Sequence, residues 1–118
     1  LNGRPGVISA RYAGEPCDDE ANNDKVLEEM REVSERERSC RFRCVLALVG
    51  KDLEETFAGS CEGVLLQKRR GSGGFGYDPL FLPNESASTF AEISLDEKAK
   101  ISHRARALTR LIDWLKFQ

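Results

Sequence analysis

Cys40-Arg41-Phe42-Arg43-Cys44-Val45-Leu46-Ala47-Leu48-Val49, then Gly50-Lys51-Asp52, then Glu54 to Leu66, is the stretch that decides the fold. Cys40, Phe42, Cys44, Leu46 and Leu48 recur at every second position, the period that sends side chains to one face of a strand. The positions between them pass from Arg41 and Arg43 to Val45, Ala47 and Val49. The strand is therefore expected to become apolar on both faces toward its end, as in a sheet covered on two sides. Gly50-Lys51-Asp52 supplies the turn, and the second strand carries Phe57, Cys61 and Leu65 on one face and Val64 and Leu66 on the other. An antiparallel hairpin is predicted, with Gly59 and Gly63 marking a bulge or a close backbone approach.

Working outward, Asn2 to Glu15 reads as a glycine-rich loop holding a short Val7 to Tyr12 stretch, and the acid- and asparagine-rich Asp18 to Asp24 reads as punctuation. With Asn23 or Asp24 as N-cap, Val26, Leu27, Met30 and Val33 fall at helical spacing among Glu, Lys and Arg. Downstream, Lys68 to Gly74 is a basic glycine-rich loop. Tyr77 to Leu82 is predicted as a short strand interrupted by Pro79, and Thr89 to Ile93 as another. Ser94-Leu95-Asp96-Glu97 fits a capping box, and Ala105, Leu108, Leu111, Ile112 and Leu115 predict a final amphipathic helix. The reading is a single α/β domain over residues 1–118: a mixed, largely antiparallel sheet with flanking helices.

Composition narrows the function classes. The 118 residues carry a net charge of −2, which argues against a long polyanionic partner and leaves a nucleic-acid role for Lys68 to Arg70 unfavoured. No apolar run approaches the roughly 20 residues needed to cross a bilayer, so no membrane partner is expected. Ten acids between Glu15 and Glu37 face three basic residues, whereas Lys98 to Gln118 holds six Lys or Arg against Asp113 alone. A small anionic ligand near the C-terminal segment is electrostatically sensible, although both runs also fit solvated helix faces. Cys17, Cys40, Cys44 and Cys61 contain no Cys-x-x-Cys pair and follow no secretory segment, so reduced thiols, a cytoplasmic location and no metal ligation are expected.

The chemistry-bearing candidates lie between Gly73 and Arg104. Gly73-Gly74-Phe75-Gly76-Tyr77-Asp78-Pro79-Leu80-Phe81 combines a flexible backbone with a flat aromatic face, and Lys98, His103 and Arg104 add donors for oxygen-rich groups. Gly71 to Gly76 formally matches Gly-x-Gly-x-x-Gly. Asp78-Pro79 follows where a dinucleotide fingerprint needs a helix, and no Gly-Lys-Ser or Gly-Lys-Thr closes a phosphate loop. On one continuous helix Lys98, His103 and Arg104 would point in separate directions at about 100° per residue. A break near Ile101 with Ser102 as cap would instead set His103 and Arg104 in a new first turn. The competing reading is solvated Lys98 and Arg104, an ordinary His103, and Phe75, Tyr77 and Phe81 as plain core residues.

Several strings, in order, resemble the inosine triphosphate pyrophosphatase family: Pro5-Gly6-Val7, Ser9-Ala10-Arg11-Tyr12-Ala13-Gly14, Phe42-Arg43-Cys44-Val45-Leu46-Ala47, Gly74 to Phe81, Thr89-Phe90-Ala91-Glu92, and Glu97-Lys98 with Ile101-Ser102-His103-Arg104. The resemblance implies hydrolysis of triphosphates carrying hypoxanthine or xanthine to monophosphate and pyrophosphate, with a divalent cation, typically magnesium. Strands of that fold with no counterpart here would leave an open sheet edge, whose unpaired backbone groups seek a partner, so a homodimer is expected. By the same resemblance Phe75 stacks on the purine, Asp78 lies at the base pocket, Lys98 meets the sugar or anionic part, and His103 and Arg104 read the base edge. The family's Thr-Gly-Asn-x-x-Lys turn and Asp-Asp-Ser-Gly segment, which hold phosphates and metal, have no counterpart here. The chain, opening at Leu1 with turn-forming Asn-Gly-Arg-Pro-Gly, thus resembles roughly the C-terminal 60% of such an enzyme, with no catalytic or metal-binding residue expected in it. Ala105, Ala99 and Ile8 stand where glycine, asparagine and an aromatic are common, and only Ala105 is expected to bear on the backbone near Arg104.

Overall fold

The computed structural model describes residues 1–118. A short 3₁₀ turn at Gly6–Arg11 precedes helix α1 (Asp19–Glu29). Strands β1 (Ser39–Gly50) and β2 (Leu53–Leu65) follow, then β3 (Phe81–Pro83), helix α2 (Leu95–Ile101) and helix α3 (His103–Lys116). The strands form one antiparallel sheet in the order β1-β2-β3. The α/β class and the antiparallel, helix-flanked sheet agree with the sequence reading.

The hairpin closes tightly. Gly50 pairs with Leu53, so Lys51 and Asp52 alone make the loop, and Asp52 takes the left-handed conformation (φ 58°) that aspartate tolerates. Cys40, Phe42, Cys44, Leu46 and Leu48 are half-buried and alternate with exposed neighbours along all of β1. Two-sided cover is corrected by that pattern: Val45 is 56% and Val49 71% exposed. The core clusters lie on one face of the sheet, and β1 is its edge.

One core cluster joins Tyr12, Val26, Met30, Leu65 and Leu80, and a second joins Cys61, Phe81 and Phe90 beside Phe42. Arg38 is 3% exposed and has no carboxylate partner. Its guanidinium donates instead to the carbonyls of Leu65 (2.8 Å), Met30 (2.8 Å), Val33 (3.1 Å) and Leu66 (3.2 Å), which ties the C-terminal end of α1 to β2. A cation suits that helix end, where orphan carbonyls concentrate negative charge.

Three expectations are corrected. Within the predicted glycine-rich loop Gly6–Arg11 forms a 3₁₀ turn, whereas α1 begins five or six residues earlier than read, because Asp18 Oδ1 accepts from the Ala21 amide (3.2 Å) and Asp19 and Glu20 suit the first turn. Tyr77 to Leu82 divides into a 3₁₀ turn at Asp78–Leu80 and β3, since Pro79 cannot donate to a ladder. Thr89 to Ile93 is a turn: the Glu92 side chain accepts from the Thr89 amide (2.9 Å), while the Glu92 and Ile93 amides donate back to the Thr89 carbonyl. The capping box is present, with Ser94 Oγ accepting from the Glu97 amide (3.1 Å).

Candidate functional site

Ser102 settles the geometry of the basic residues. It caps α3, its Oγ accepting from the Ala105 amide (3.1 Å), so the chain turns between α2 and α3 and His103 and Arg104 open a new helix. Ala105 sits in that first turn with ordinary helical geometry, and the departure from glycine leaves the backbone undisturbed. Lys98, on α2, faces back toward the glycine loop.

Phe75, Asp78, Lys98, His103 and Arg104 border one cavity of about 620 Å³, within the range of small-ligand sites. Asp78 is 3% exposed, and its Oδ2 receives both Lys98 Nζ (2.7 Å) and the Phe75 amide (3.0 Å). Gly74 (φ 70°) admits this contact, because a Cβ there would overlap the Asp78 carboxylate. The Phe75 ring is 53% exposed, with Lys98 Nζ and the Arg104 guanidinium carbon each 4.7 Å from its centroid. Electron-rich ring faces attract such cations.

His103 stacks on Phe42 at 4.9 Å, and Phe42 continues onto Phe90 at 5.7 Å. Burial, then the charges of Arg104 and Lys98, lower its pKa to about 4, against a raising contribution from Asp78. The imidazole is neutral at pH 7, and its buried Nδ1 has no protein partner. Between the ordinary value near 6.5 and the folded value near 4, the unfolded chain takes up a proton that the folded chain refuses. Stability is thus complete above about pH 6.5 and falls as pH drops toward 4. Urea titrations at pH 7 and pH 5 should show this loss, and His103→Phe should reduce it; an equal acid loss in both chains would refute the assignment.

Residues that sequence reasoning missed hold the loop in place. Asp19 Oδ2 accepts from the Gly76 amide (2.9 Å), and Asn23 Nδ2 donates to the Gly76 carbonyl (3.0 Å), so the first turns of α1 clasp the residue next to Phe75. Asn22 bonds the Ala13 amide (2.7 Å) and the Ala10 carbonyl (2.9 Å), and Tyr77 Oη donates to the Ser9 carbonyl (2.6 Å). Phe42, half-buried, floors the cavity. The sequence carried no signal of these contacts, because the acid- and asparagine-rich Asp18 to Asp24 reads as punctuation until its partners are known.

No group of three or more His, Cys, Asp or Glu side chains is placed to hold a metal ion. Asp78 is committed to Lys98, and Asp19 to Gly76. Burial pushes the Cys40 thiol up to about 12 and raises that of Cys61, so both act as protonated apolar groups. No helix is long and apolar enough to cross a membrane.

Known proteins share this arrangement of elements. The dITP/XTP pyrophosphatase of Bacillus anthracis is 54% identical over 114 residues, covering 94% of this chain and 56% of that protein. That of Geobacter sulfurreducens is 50% identical over 119 residues, covering 100% and 60%. The Staphylococcus aureus Ham1 protein superposes with a TM-score of 0.94 at 39% identity, over 98% of this chain and 60% of that one. A Ham1 protein from Coxiella burnetii gives 0.93 at 39%, over 100% and 61%. The chain therefore spans 56–61% of the length of these relatives. With residues 1–114 matching the family, the chain belongs to the Ham1 family.

Proposed function

We propose that residues 1–118 form the base-recognition part of an enzyme that hydrolyses non-standard purine nucleoside triphosphates (ITP, dITP, XTP) to monophosphate and pyrophosphate. The supporting observation is the Phe75 ring with Lys98 and Arg104 beside it in one cavity, in a chain whose relatives are named dITP/XTP pyrophosphatases. A purine stacks on Phe75, Lys98 meets the sugar or phosphates, and Arg104, with neutral His103, reads the base edge. Arginine has donors only, so it satisfies a 6-keto oxygen and opposes the 6-amino group of adenine. Leaving two buried donors face to face costs about 1–3 kcal/mol, enough to select against adenine nucleotides.

Magnesium is the family expectation, but the acids of this cavity, Asp78 held by Lys98 and Asp19 by the Gly76 amide, do not fit a metal centre. The resemblance assigns metal binding and water activation to segments with no counterpart in this sequence, so the chain alone should turn over little or nothing. The further reading is of one domain, a cytoplasmic enzyme and a homodimer, with neither nucleic acid nor membrane as partner. Free thiols favour the cytoplasm, and the open β1 edge with exposed Val45 and Val49 offers a surface for a second copy.

Inosine monophosphate is expected to bind about tenfold or more tighter than adenosine monophosphate, and Arg104→Ala to erase that preference while the fold persists. Calorimetric titration of both nucleotides checks this, and equal weakening toward both bases would count against the assignment. Binding without turnover even when the family's N-terminal segment is supplied would favour a non-catalytic nucleotide-binding module instead.

A further inference from the structure

A second hollow, of about 710 Å³, opens between the hairpin and the α2–α3 corner. Arg43 of β1, Lys100 of α2, and Arg106 and Arg110 of α3 border it; its other walls are Ala, Gly, Ser and Thr, with no carboxylate. Arg106 is held in place, donating to the Ser60 carbonyl (2.8 Å) and pairing with Glu85. Arg43, Lys100 and Arg110 have no ion-pair partner.

From this we infer a second binding site, for a small phosphate-type oxyanion of the inorganic pyrophosphate class. Cations of a solvated helix face run along one element beside their counter-ions. Here Arg43, Lys100 and Arg110, none beside a counter-ion, come from three elements, line one concave surface, and repel one another until an anion enters. Guanidinium forks and an ammonium are the groups that bind phosphate oxygens, and a fixed arginine loses less side-chain freedom on binding. A bounded hollow in a chain of net charge −2 suits a compact anion better than a nucleic-acid strand. Arg43 and Ala99 also border the base cavity, so the two hollows adjoin without sharing Lys98, His103 or Arg104.

The inference stands apart from the base-site reading and is tested separately. Inorganic pyrophosphate is titrated calorimetrically into the 118-residue chain at constant ionic strength, with thermal unfolding run on every variant. Saturable one-to-one binding is expected, weakened about tenfold or more by Lys100→Ala with Arg110→Ala and unchanged by Arg104→Ala. Inosine monophosphate should still bind that double variant, which separates this site from the base cavity. Undiminished pyrophosphate binding in the double variant overturns the site. Loss in Arg104→Ala instead overturns it by moving the anion to the base cavity, as expected if the phosphates belong to a nucleotide. A short oligonucleotide binding far more tightly than pyrophosphate overturns the small-anion class. Because Lys100 and Arg110 are exposed, unfolding temperatures should match the parent; should the double variant unfold, Lys100→Gln and Arg110→Gln singly carry the same readout.

Discussion

A chain carrying Gly59→Val is expected to lose about 3 kcal/mol of stability and its nucleotide binding together. Gly59 lies in β2 opposite Cys44, on the face that α3 covers. A Cβ there would overlap the His103 carbonyl oxygen and the Ala107 nitrogen, with the Arg106 carbonyl carbon 3.0 Å away. These are backbone atoms, so no rotamer change relieves the clash, and α3 has to lift away from the sheet. Ala107 is fully buried at the same contact, so small residues on both partners create this close approach. The displaced turn is the one that carries His103 and Arg104. Urea unfolding combined with inosine monophosphate titration measures both losses. Parent-like stability with parent-like affinity would show that the helix–sheet contact positions nothing.

Features set by local chemistry were legible in the sequence. The period of two over Cys40 to Leu48, the Gly50-Lys51-Asp52 turn and the Ser94 capping box each depend on neighbours within a few residues, and each appears in the structure. The Ser102 break was one of two open geometries, because a serine inside a helical run is compatible with either. Features set by distant partners stayed hidden. Asn22 read as loop and Asn23 as a candidate N-cap, yet their amides bond backbone at Ala10, Ala13 and Gly76, the last of them 53 positions from Asn23, and that capture lets polar residues lie buried in α1. Val45 and Val49 looked like core because hydrophobicity alone does not say whether a sheet's second face has a covering layer. For the site, the glycine run and basic residues were visible, whereas the meeting of Phe75, Asp78 and Lys98 required a contact across 20 positions.

That contact carries the second large expected effect. Asp78→Ala should destabilise the chain by about 3 kcal/mol, because the Lys98 side chain is only 16% exposed and would lose its counter-charge while the Phe75 amide loses its acceptor. Nucleotide affinity should fall in the same variant, since the glycine loop and Lys98 are both released. Stability and recognition can then be separated by changing the pair together. In Asp78→Asn with Lys98→Met, the asparagine oxygen can still accept from the Phe75 amide, and the methionine keeps an apolar stem against Phe75 and Phe90. Replacing both members of a buried ion pair by groups that leave no uncompensated charge is often near neutral, so this double variant should unfold within about 1 kcal/mol of the parent. Its inosine monophosphate binding should stay weak, because the ammonium beside the Phe75 ring is gone. Recovery of affinity along with stability would mean that Lys98 serves the fold alone. Failure to recover stability would mean that Asp78 acts on the glycine loop through its charge rather than through the Lys98 pair.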